Sequence, residues 1–575
     1  MEVEHGPWNP GIASEIPDAL LPLATLYRPE HARTPLRDVR EIADLTGLPL
    51  RDIVAFRPER LALHELLVRV TADLSVPDGT RIEDLGISFR SITRTILEGE
   101  LLPRMDEIRG AYAKARDAIG ADIARELDRL YAKPIAEPEA PSGWLARLMG
   151  TRPPLKASAP PPSERDLIAE WDARARTAEG AERAALLALT RLVSSLLVRY
   201  ERVWADRDLV ARVACDLAAN DWGSTAIGAA IEPMIAAAVA REGIRVLQRQ
   251  ERPVVMNTKG PSAAGKSTMR PLQKQLAGRI GVDWAEFALI SPDIWRKQLL
   301  DYGSLGEAYK YAGAFTGDEL AIIDQKLDRY MARKAQRGEM SHLLIDRFRF
   351  DSFAPNSEEA GSNLLTRFGQ IVYLFFLVTP PAALVERAWN RGLDVGRYKA
   401  VDDTIAHAIE AYAGMPELFF TWMRRSDKRV HFEFLDNTVT RGAPPRTAAF
   451  GWNGVMNVLD FECLVNIERY RRLNVDAHDP ESLYRNASEL EVAVNVGFLR
   501  RCLSEIREVN FADQATGRVW LTVRDGAIEY VDAPPEGARG VLDVVLPALP
   551  ATRSDATRYL DAAESVHTVG TWRTG

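Results

Sequence analysis

The segment Gly260-Pro-Ser-Ala-Ala-Gly265-Lys-Ser-Thr268 narrows the possible folds of this chain more than any other feature of its sequence. It matches the pattern G-x-x-x-x-G-K-[S/T] in full. A short apolar run, 254–258, precedes it, and an amphipathic stretch, 267–280, follows it. Glycines let backbone N–H groups point inward at phosphates, and the next helix presents its N-terminal donors to the same anion. The motif therefore predicts a strand, a phosphate-binding loop and a helix.

The same motif predicts the residues that hold a nucleotide. They belong to the loop and the first turn after it: Gly260, Ser262, Ala263, Ala264, Gly265, Lys266, Ser267 and Thr268. The Lys266 ammonium can reach the β- and γ-phosphates, and the Ser267 hydroxyl can ligate Mg²⁺. ATP and Mg²⁺ are therefore the predicted cofactors.

Four more apolar runs follow the first and alternate with helical stretches. The five runs are 253–258, 287–291, 342–346, 370–378 and 430–436. Nearly continuous apolar strands at this spacing are typical of a parallel sheet covered on both faces. The predicted fold is an α/β core, a five-stranded parallel sheet flanked by helices, with a large all-α N-terminal region and a small α+β C-terminal domain.

Changes in pattern along the chain suggest five segments. They are a helical domain 1–132, a Pro-rich linker 133–165, a helical region 166–250, the α/β domain 251–440 and an α+β domain 441–575. The linker holds eight prolines, which favour extended backbone. In the last segment, 480–508 is predicted helical, and 518–533 is predicted to form a hairpin around Asp525-Gly526.

Composition excludes some partners and favours one compartment. The net charge of −8 argues against a nucleic-acid binder, which normally carries a basic face. Three widely spaced cysteines indicate neither a disulfide framework nor a zinc site, and they fit a reducing cytoplasm. The N-terminus does not resemble a signal peptide. Because Glu232 and Pro233 interrupt the most apolar stretch, 225–240, we expect a buried helix there and no membrane partner.

Carboxylates follow two of the predicted strands. Asp293 comes directly after the second strand, where it can accept or orient the hydroxyl of a phosphate acceptor. Arg296, three residues later, can clamp an anionic acceptor. Asp346 ends the third strand, either near Mg²⁺ or on acceptor hydroxyls. The structural alternatives are a helix N-cap for Asp293 and a strand-end turn for Asp346.

Three arginines, Arg387, Arg391 and Arg397, lie within eleven residues after the fourth strand. Phosphoryl transfer spreads negative charge over the γ-phosphate oxygens, and arginine supplies planar donors for them. These residues are predicted to form a mobile lid. The alternative is a solvated helix face, since arginines are frequent throughout this chain.

Over roughly 251–440 the chain resembles the zeta toxin family of P-loop kinases. The resemblance rests on the order of these parts: the 260–268 loop, Asp293-x-x-Arg296, Ala314-Phe-Thr-Gly317, Asp346 with Arg349 soon after, Gly396-Arg397, and Leu435-Asp-Asn437. The chain reads Asp346-Arg347-Phe348 where the family usually has Glu-Gly-Thr.

The resemblance implies roles for these residues. Asp293 would be the base for the acceptor hydroxyl, while Lys266, Arg387 and Arg397 would stabilise the transferred phosphoryl group. Arg296, Asp346 and Arg349 would bind the acceptor. Family members phosphorylate UDP-N-acetylglucosamine and related amino sugars, and a related effector phosphorylates NAD. A separate helical antitoxin blocks the nucleotide site in such systems, and the helical N-terminal region is a candidate for that role in cis.

Together these features predict an ATP- and Mg²⁺-dependent phosphotransferase acting on a hydroxyl of a small soluble acceptor, with a nucleotide sugar first. Within enzymes, the alternatives are an NAD kinase and a polynucleotide 5′-hydroxyl kinase. An alternative of another class is a regulatory module in which nucleotide binding acts as a switch on the helical arms.

Overall fold

The apolar runs form strands of one large sheet. The computed structural model describes residues 5–132, 162–347, 366–533, 544–546 and 557–573. Its strands are β1 (Val254–Lys259), β2 (Phe287–Ile290), β3 (His342–Asp346), β4 (Ile371–Val378), β5 (Arg429–Asp436), β6 (Arg446–Trp452), β7 (Val455–Val458), β8 (Glu508–Ala512), β9 (Arg518–Arg524), β10 (Ala527–Val531) and β11 (Arg558–Tyr559).

The parallel part of the sheet has the order β5-β4-β1-β3-β2. All residues of β1, β2 and β3 are buried, which agrees with a sheet covered on both faces. The central strand β1 pairs with β3 and β4, with Thr258 opposite Asp346. Because the strands are parallel, their carboxyl ends meet at one edge, where the 260–268 loop begins.

The sheet continues past the boundary predicted at residue 441. Strand β6 pairs antiparallel with β5, and β7, β8, β9 and β10 follow in order, with β11 on β9. The hairpin at Asp525-Gly526 is present, with both residues at positive φ. The helix predicted over 480–508 is wrong: short 3-10 turns precede an α-helix at Gly497–Glu505, and β8 begins at Glu508.

The helices within the described residues are α1 (Leu36–Thr46), α2 (Leu50–Ile53), α3 (Pro58–Asp73), α4 (Asp84–Ile96), α5 (Met105–Leu130), α6 (Glu164–Ala175), α7 (Gly180–Tyr200), α8 (Arg207–Ala218), α9 (Ser224–Glu242), α10 (Arg270–Arg279), α11 (Arg296–Leu299), α12 (Ala312–Phe315), α13 (Gly317–Gln336), α14 (Pro381–Val395), α15 (Val401–Met423), α16 (Phe461–Arg469) and α17 (Gly497–Glu505). Within the described chain, one continuous helical stretch, 207–242, is long and apolar enough to cross a membrane, and 44% of its most apolar window is buried inside the protein.

The chain divides into two compact units, and the predicted segments do not follow that division. Unit 1 comprises 1–25, 67–95 and 239–575, and unit 2 comprises 26–66 and 96–238. Residues 67–95 therefore belong with the sheet, although the sequence placed them in a helical domain 1–132. The second half of α3 is buried on nearly all sides, so it forms part of a core rather than a surface.

Polar contacts fix the 67–95 segment to the rest of unit 1. The Trp295 indole donates to the Thr71 hydroxyl (3.2 Å), and the Lys334 ammonium lies 2.6 Å from Asp73. Arg270, the first residue of α10, donates to the Ile82 carbonyl (2.8 Å). The helix that follows the 260–268 loop thus has a partner far away in sequence.

Unit 2 is helical and has its own polar network. Glu126 of α5 accepts from the Trp171 indole (2.8 Å) and from Arg174 (2.7 Å), both on α6. Trp171 is fully buried, so its N–H requires such a partner. Ser163 and Asp166 form a capping box that starts α6.

Candidate active site

The 260–268 loop follows β1 and has close packing or an unusual dihedral angle at its two glycines. Gly265 has φ +94°, and a Cβ there would lie 2.9 Å from Asn437 Nδ2. At Gly260 a Cβ would approach Leu377 Cβ to 3.1 Å. Both glycines are therefore needed, one for its dihedral angle and one for close packing. The chain leaves the loop as a 3-10 turn, Lys266–Met269, before α10 begins.

The ends of β4 and β5 hold the loop in place. Asn437, which follows β5, donates to the Ala264 carbonyl (2.7 Å). Thr379, which follows β4, contacts the same carbonyl at 3.5 Å, and the buried Tyr412 hydroxyl holds the backbone of Thr379. Sequence reasoning used Asn437 only within the family pattern, whereas the structure gives it a direct contact with the loop.

Lys266 and Ser267 lie at the centre of the site. The Lys266 ammonium donates to the carbonyls of Gly260 (3.1 Å) and Pro261 (2.9 Å), so the side chain folds across the loop. Burial lowers the pKa of Lys266, and this is opposed by Asp346 and Asp293. The Ser267 hydroxyl donates to Asp346 Oδ2 (2.7 Å).

The Ser267–Asp346 contact bears on the two roles that the sequence left open for Asp346. A hydroxyl and a carboxylate at the phosphate loop are the ligands that phosphate-loop NTPases use for Mg²⁺. Among the described residues, no group of three or more His, Cys, Asp or Glu side chains is placed to hold a metal. A two-ligand protein site suits Mg²⁺, because this ion keeps several waters and also binds substrate phosphates. The contact therefore favours the Mg²⁺ role over acceptor binding.

Asp293 lies in a short 3-10 turn, Pro292–Trp295, directly after β2. Its Oδ1 accepts from Arg296 Nε (2.9 Å), and its Oδ2 pairs with Arg397 (2.6 Å). Burial would raise the pKa of Asp293, but Arg397 and Arg296 hold it well below its ordinary value. The carboxylate therefore stays ionised, and it remains a strong hydrogen-bond acceptor while being a weak base.

Arg296 has further partners besides Asp293. It donates to the Gly313 carbonyl (2.6 Å) and to the Thr316 hydroxyl (2.7 Å), and Thr316 belongs to the segment that the family pattern singled out. These contacts fix Asp293 relative to α12 and α13. Arg296 was predicted to bind the acceptor, and its contacts here are those of a positioning residue.

The three predicted lid arginines have different surroundings. Arg387 donates to the Asn437 carbonyl (2.8 Å), beside the loop after β5. Arg391 and Arg397 lie together near Lys266 and Asp293, and Arg391 donates to the Arg397 carbonyl (3.4 Å). Burial and the neighbouring Arg397 lower the pKa of Arg391. The structure thus groups Arg391, rather than Arg387, with Arg397.

Two arginines follow Asp346 in sequence. Arg347 is buried and pairs with Asp324 (2.6 Å) and Asp328 (2.8 Å) of α13, so it holds α13 against the end of β3. Arg349, predicted to bind the acceptor, lies outside the described residues.

Sequence reasoning missed a second group beside the loop. Lys399 lies two residues after Arg397, and its ammonium contacts Asp403 and His407 of α15. Lys399 interacts electrostatically with Lys266 and Arg391. The short spacing between Lys399 and Arg397 was the sequence signal that could have indicated a place beside the loop. Nothing in the sequence distinguishes His407 from a histidine on a helix surface.

Comparison with protein-family models, with curated proteins and with solved structures finds no match for this chain.

Proposed function

We propose that the protein is an ATP- and Mg²⁺-dependent phosphotransferase that transfers the γ-phosphate to a hydroxyl of a small soluble acceptor. One observation carries the proposal: Ser267 and Asp346 share a hydrogen bond beside Lys266, and the arginine-clamped Asp293 interacts electrostatically with the same lysine. This arrangement combines a phosphate cradle, a pair of oxygen ligands for Mg²⁺ and a carboxylate for the acceptor.

The residues divide the chemistry between them. In the transfer, the acceptor oxygen bonds to the γ-phosphorus while the bond between the γ-phosphorus and the β–γ bridging oxygen breaks. The hydroxyl proton is released. Asp293 accepts a hydrogen bond from the acceptor hydroxyl and aligns this hydroxyl for attack. Alignment matters more here than a strong base, because the transition state of phosphoryl transfer is loose. Mg²⁺, held by Ser267 and Asp346, would neutralise charge on the β- and γ-phosphates.

The charges in the cleft favour an anionic acceptor. Five basic side chains interact there with three carboxylates, Asp293, Asp346 and Asp403. They are Lys266, Arg296, Arg391, Arg397 and Lys399. The excess of positive charge suits two anionic partners better than one. A nucleotide sugar such as UDP-N-acetylglucosamine, which the family resemblance suggests, has this chemistry.

Transfer of labelled γ-phosphate from ATP to UDP-sugars, NAD, nucleosides and an oligonucleotide tests the proposal. We expect a labelled small acceptor with the wild type, and a loss of roughly 10²–10³-fold in kcat/KM for Lys266→Ala and at least about 10²-fold for Asp293→Asn. Lys114→Ala and Asp427→Asn, at exposed positions, are matched controls and should behave as wild type.

The outcomes separate the alternatives. Labelling of the oligonucleotide alone would indicate a polynucleotide kinase. ATP binding with no transfer to any acceptor, unchanged by Asp293→Asn, would contradict the proposal and favour a nucleotide-dependent switch.

A further inference from the structure

Lys399 is a buried cation beside the proposed phosphate site, and neither the motif nor the family pattern assigns it a role. It lies in the connection between α14 and α15, and its side chain is 10% exposed. Its ammonium lies 3.4 Å from Asp403 Oδ2 and donates to His407 Nδ1. Asp403 also lies 3.3 Å from His407 Nε2. Asp403 and His407 therefore hold Lys399 in place.

The groups that face Lys399 disfavour its charged form. Burial lowers its pKa to about 7, Arg391 of α14 and Lys266 of the loop act in the same direction, and Asp403 opposes them. Burial, Lys399 and Lys266 also lower the pKa of His407 to about 2, so this ring is neutral and accepts the hydrogen bond. Near neutral pH the ammonium is thus poised to lose its proton in a cleft crowded with cations.

Such a placement is costly in the absence of a ligand. A buried lysine with one carboxylate partner contributes little stability, because its desolvation offsets the attraction. An anion at the 260–268 loop would reverse the local potential and favour the protonated amine. The same anion would relieve the repulsion among Lys266, Arg391 and Lys399.

We propose that Lys399 is a second phosphate-binding lysine, which contacts the phosphate chain of a bound nucleoside triphosphate and takes up a proton when that anion binds. The proposal rests on the proposed function, since it requires a triphosphate at the 260–268 loop. Binding adds one N–H donor and one positive charge to the site, and the proton comes from solvent. Asp403 and His407 orient the amine and do not touch the ligand.

Calorimetry of the full chain with Mg²⁺ and the β,γ-imido analogue of ATP tests this. At pH 8.0 in two buffers of different ionisation enthalpy, the difference in apparent heat gives the protons taken up. We expect the wild type to take up several tenths of a proton or more, because most Lys399 is neutral before binding at a pKa of about 7. Lys399→Met should bind more weakly and take up fewer protons than the wild type, whereas Lys114→Met, at an exposed lysine, should match the wild type.

The pH dependence of affinity provides a second readout. From pH 8 to pH 9 the wild-type affinity should fall by about three- to tenfold, because the ligand prefers the protonated form of Lys399. Lys399→Arg should keep its affinity across this range, since arginine stays charged. Equal proton uptake by wild type and Lys399→Met would overturn the proposal.

Should Lys399→Met fail to fold, labelling of the wild type decides. An acyl-phosphate derivative of ATP acylates lysines near its phosphate chain, and peptide mass spectrometry locates them. Modification of Lys399 that excess ATP prevents supports the proposal, and modification of Lys266 without Lys399 overturns it. Failure of the wild type to bind nucleotide contradicts the proposed function itself, whereas binding and transfer that are indifferent to Lys399 contradict only this inference.

Discussion

Individual side chains in the cleft perform separable tasks. Lys266 closes over the loop, Ser267 and Asp346 offer oxygen ligands, and Asp293 is held ionised by Arg296 and Arg397. Several of these groups have shifted pKa values, as groups at functional sites often do. Each task can therefore be removed by a single substitution and measured on its own.

The Mg²⁺ role of Asp346 is tested by metal titration. In Asp346→Asn the proposed site would lose the charged one of its two protein ligands, so we expect the Mg²⁺ concentration for half-maximal transfer to rise by about ten- to hundredfold. Ser267→Ala should shift it in the same direction by less. The concentration of acceptor for half-maximal rate should change little. A change in acceptor requirement with an unaltered Mg²⁺ requirement would return Asp346 to the acceptor-binding role.

The 260–268 loop acts as one element because three strand ends determine its shape. It leaves β1, and residues after β4 and β5 hold its Ala264 carbonyl. If the loop binds phosphate as proposed, this support would hold its backbone in place for the anion.

Substitution of Gly265 tests that rigidity. Gly265→Ala places a Cβ at φ +94° and 2.9 Å from Asn437 Nδ2, so the loop must shift. We expect nucleotide affinity to fall by at least tenfold, with the melting temperature nearly unchanged, by equilibrium binding and thermal unfolding. Gly278→Ala is the control, because α10 leaves open space at that Cβ. Unaltered affinity in Gly265→Ala would mean that the loop does not bind the phosphates.

Across unit 1, distant parts of the chain complete the fold around the sheet. Glu433 of β5 is fully buried and accepts hydrogen bonds from the backbone N–H groups of Val569 (2.8 Å) and Gly570 (2.9 Å). The Thr447 hydroxyl also donates to it (2.7 Å). The Glu433 carboxylate is thus one of the groups that attach the C-terminal segment to the sheet.

This attachment makes stability dependent on pH. Burial raises the pKa of Glu433 to about 7, against an ordinary 4.5, so between these values the native state binds more protons than the unfolded state. Stability therefore falls as pH rises through this window, by up to about 3 kcal/mol. Glu433→Gln should flatten this part of the pH profile in urea unfolding, whereas the exposed Glu307→Gln should not. A profile in Glu433→Gln that keeps the wild-type slope would contradict the assignment.

The composition of unit 1 also predicts what truncation does. A fragment 251–575 contains the whole sheet but lacks residues 67–95, which supply partners to Trp295, Lys334 and Arg270. Removal of residues 67–95 exposes surface that the second half of α3 covers. We expect the fragment to be insoluble or to unfold without a cooperative transition, as measured by circular dichroism. A stable, cooperative fragment would show that 67–95 is dispensable for folding.

Local sequence pattern was sufficient for the five strands of the parallel part of the sheet. The five apolar runs predicted β1 to β5 to within one residue at nearly every end, because a buried parallel strand is apolar without interruption. The loop at 260–268 was equally predictable, since its dihedral angles require glycine at a fixed position. Strands β6, β7, β8 and β11 were missed, because such short segments carry no strong period.

The grouping of the charged residues depended on long-range contacts. Ser267 meets Asp346 across 79 positions, and Lys399 interacts with Lys266 across more than a hundred, so no local pattern predicts either pairing. The same holds for the extension of the sheet past residue 441 and for the place of residues 67–95 in unit 1. The period of apolar residues along a strand specifies which face the strand buries. Which strand or side chain it then contacts depends on the free energy of packing the complete chain.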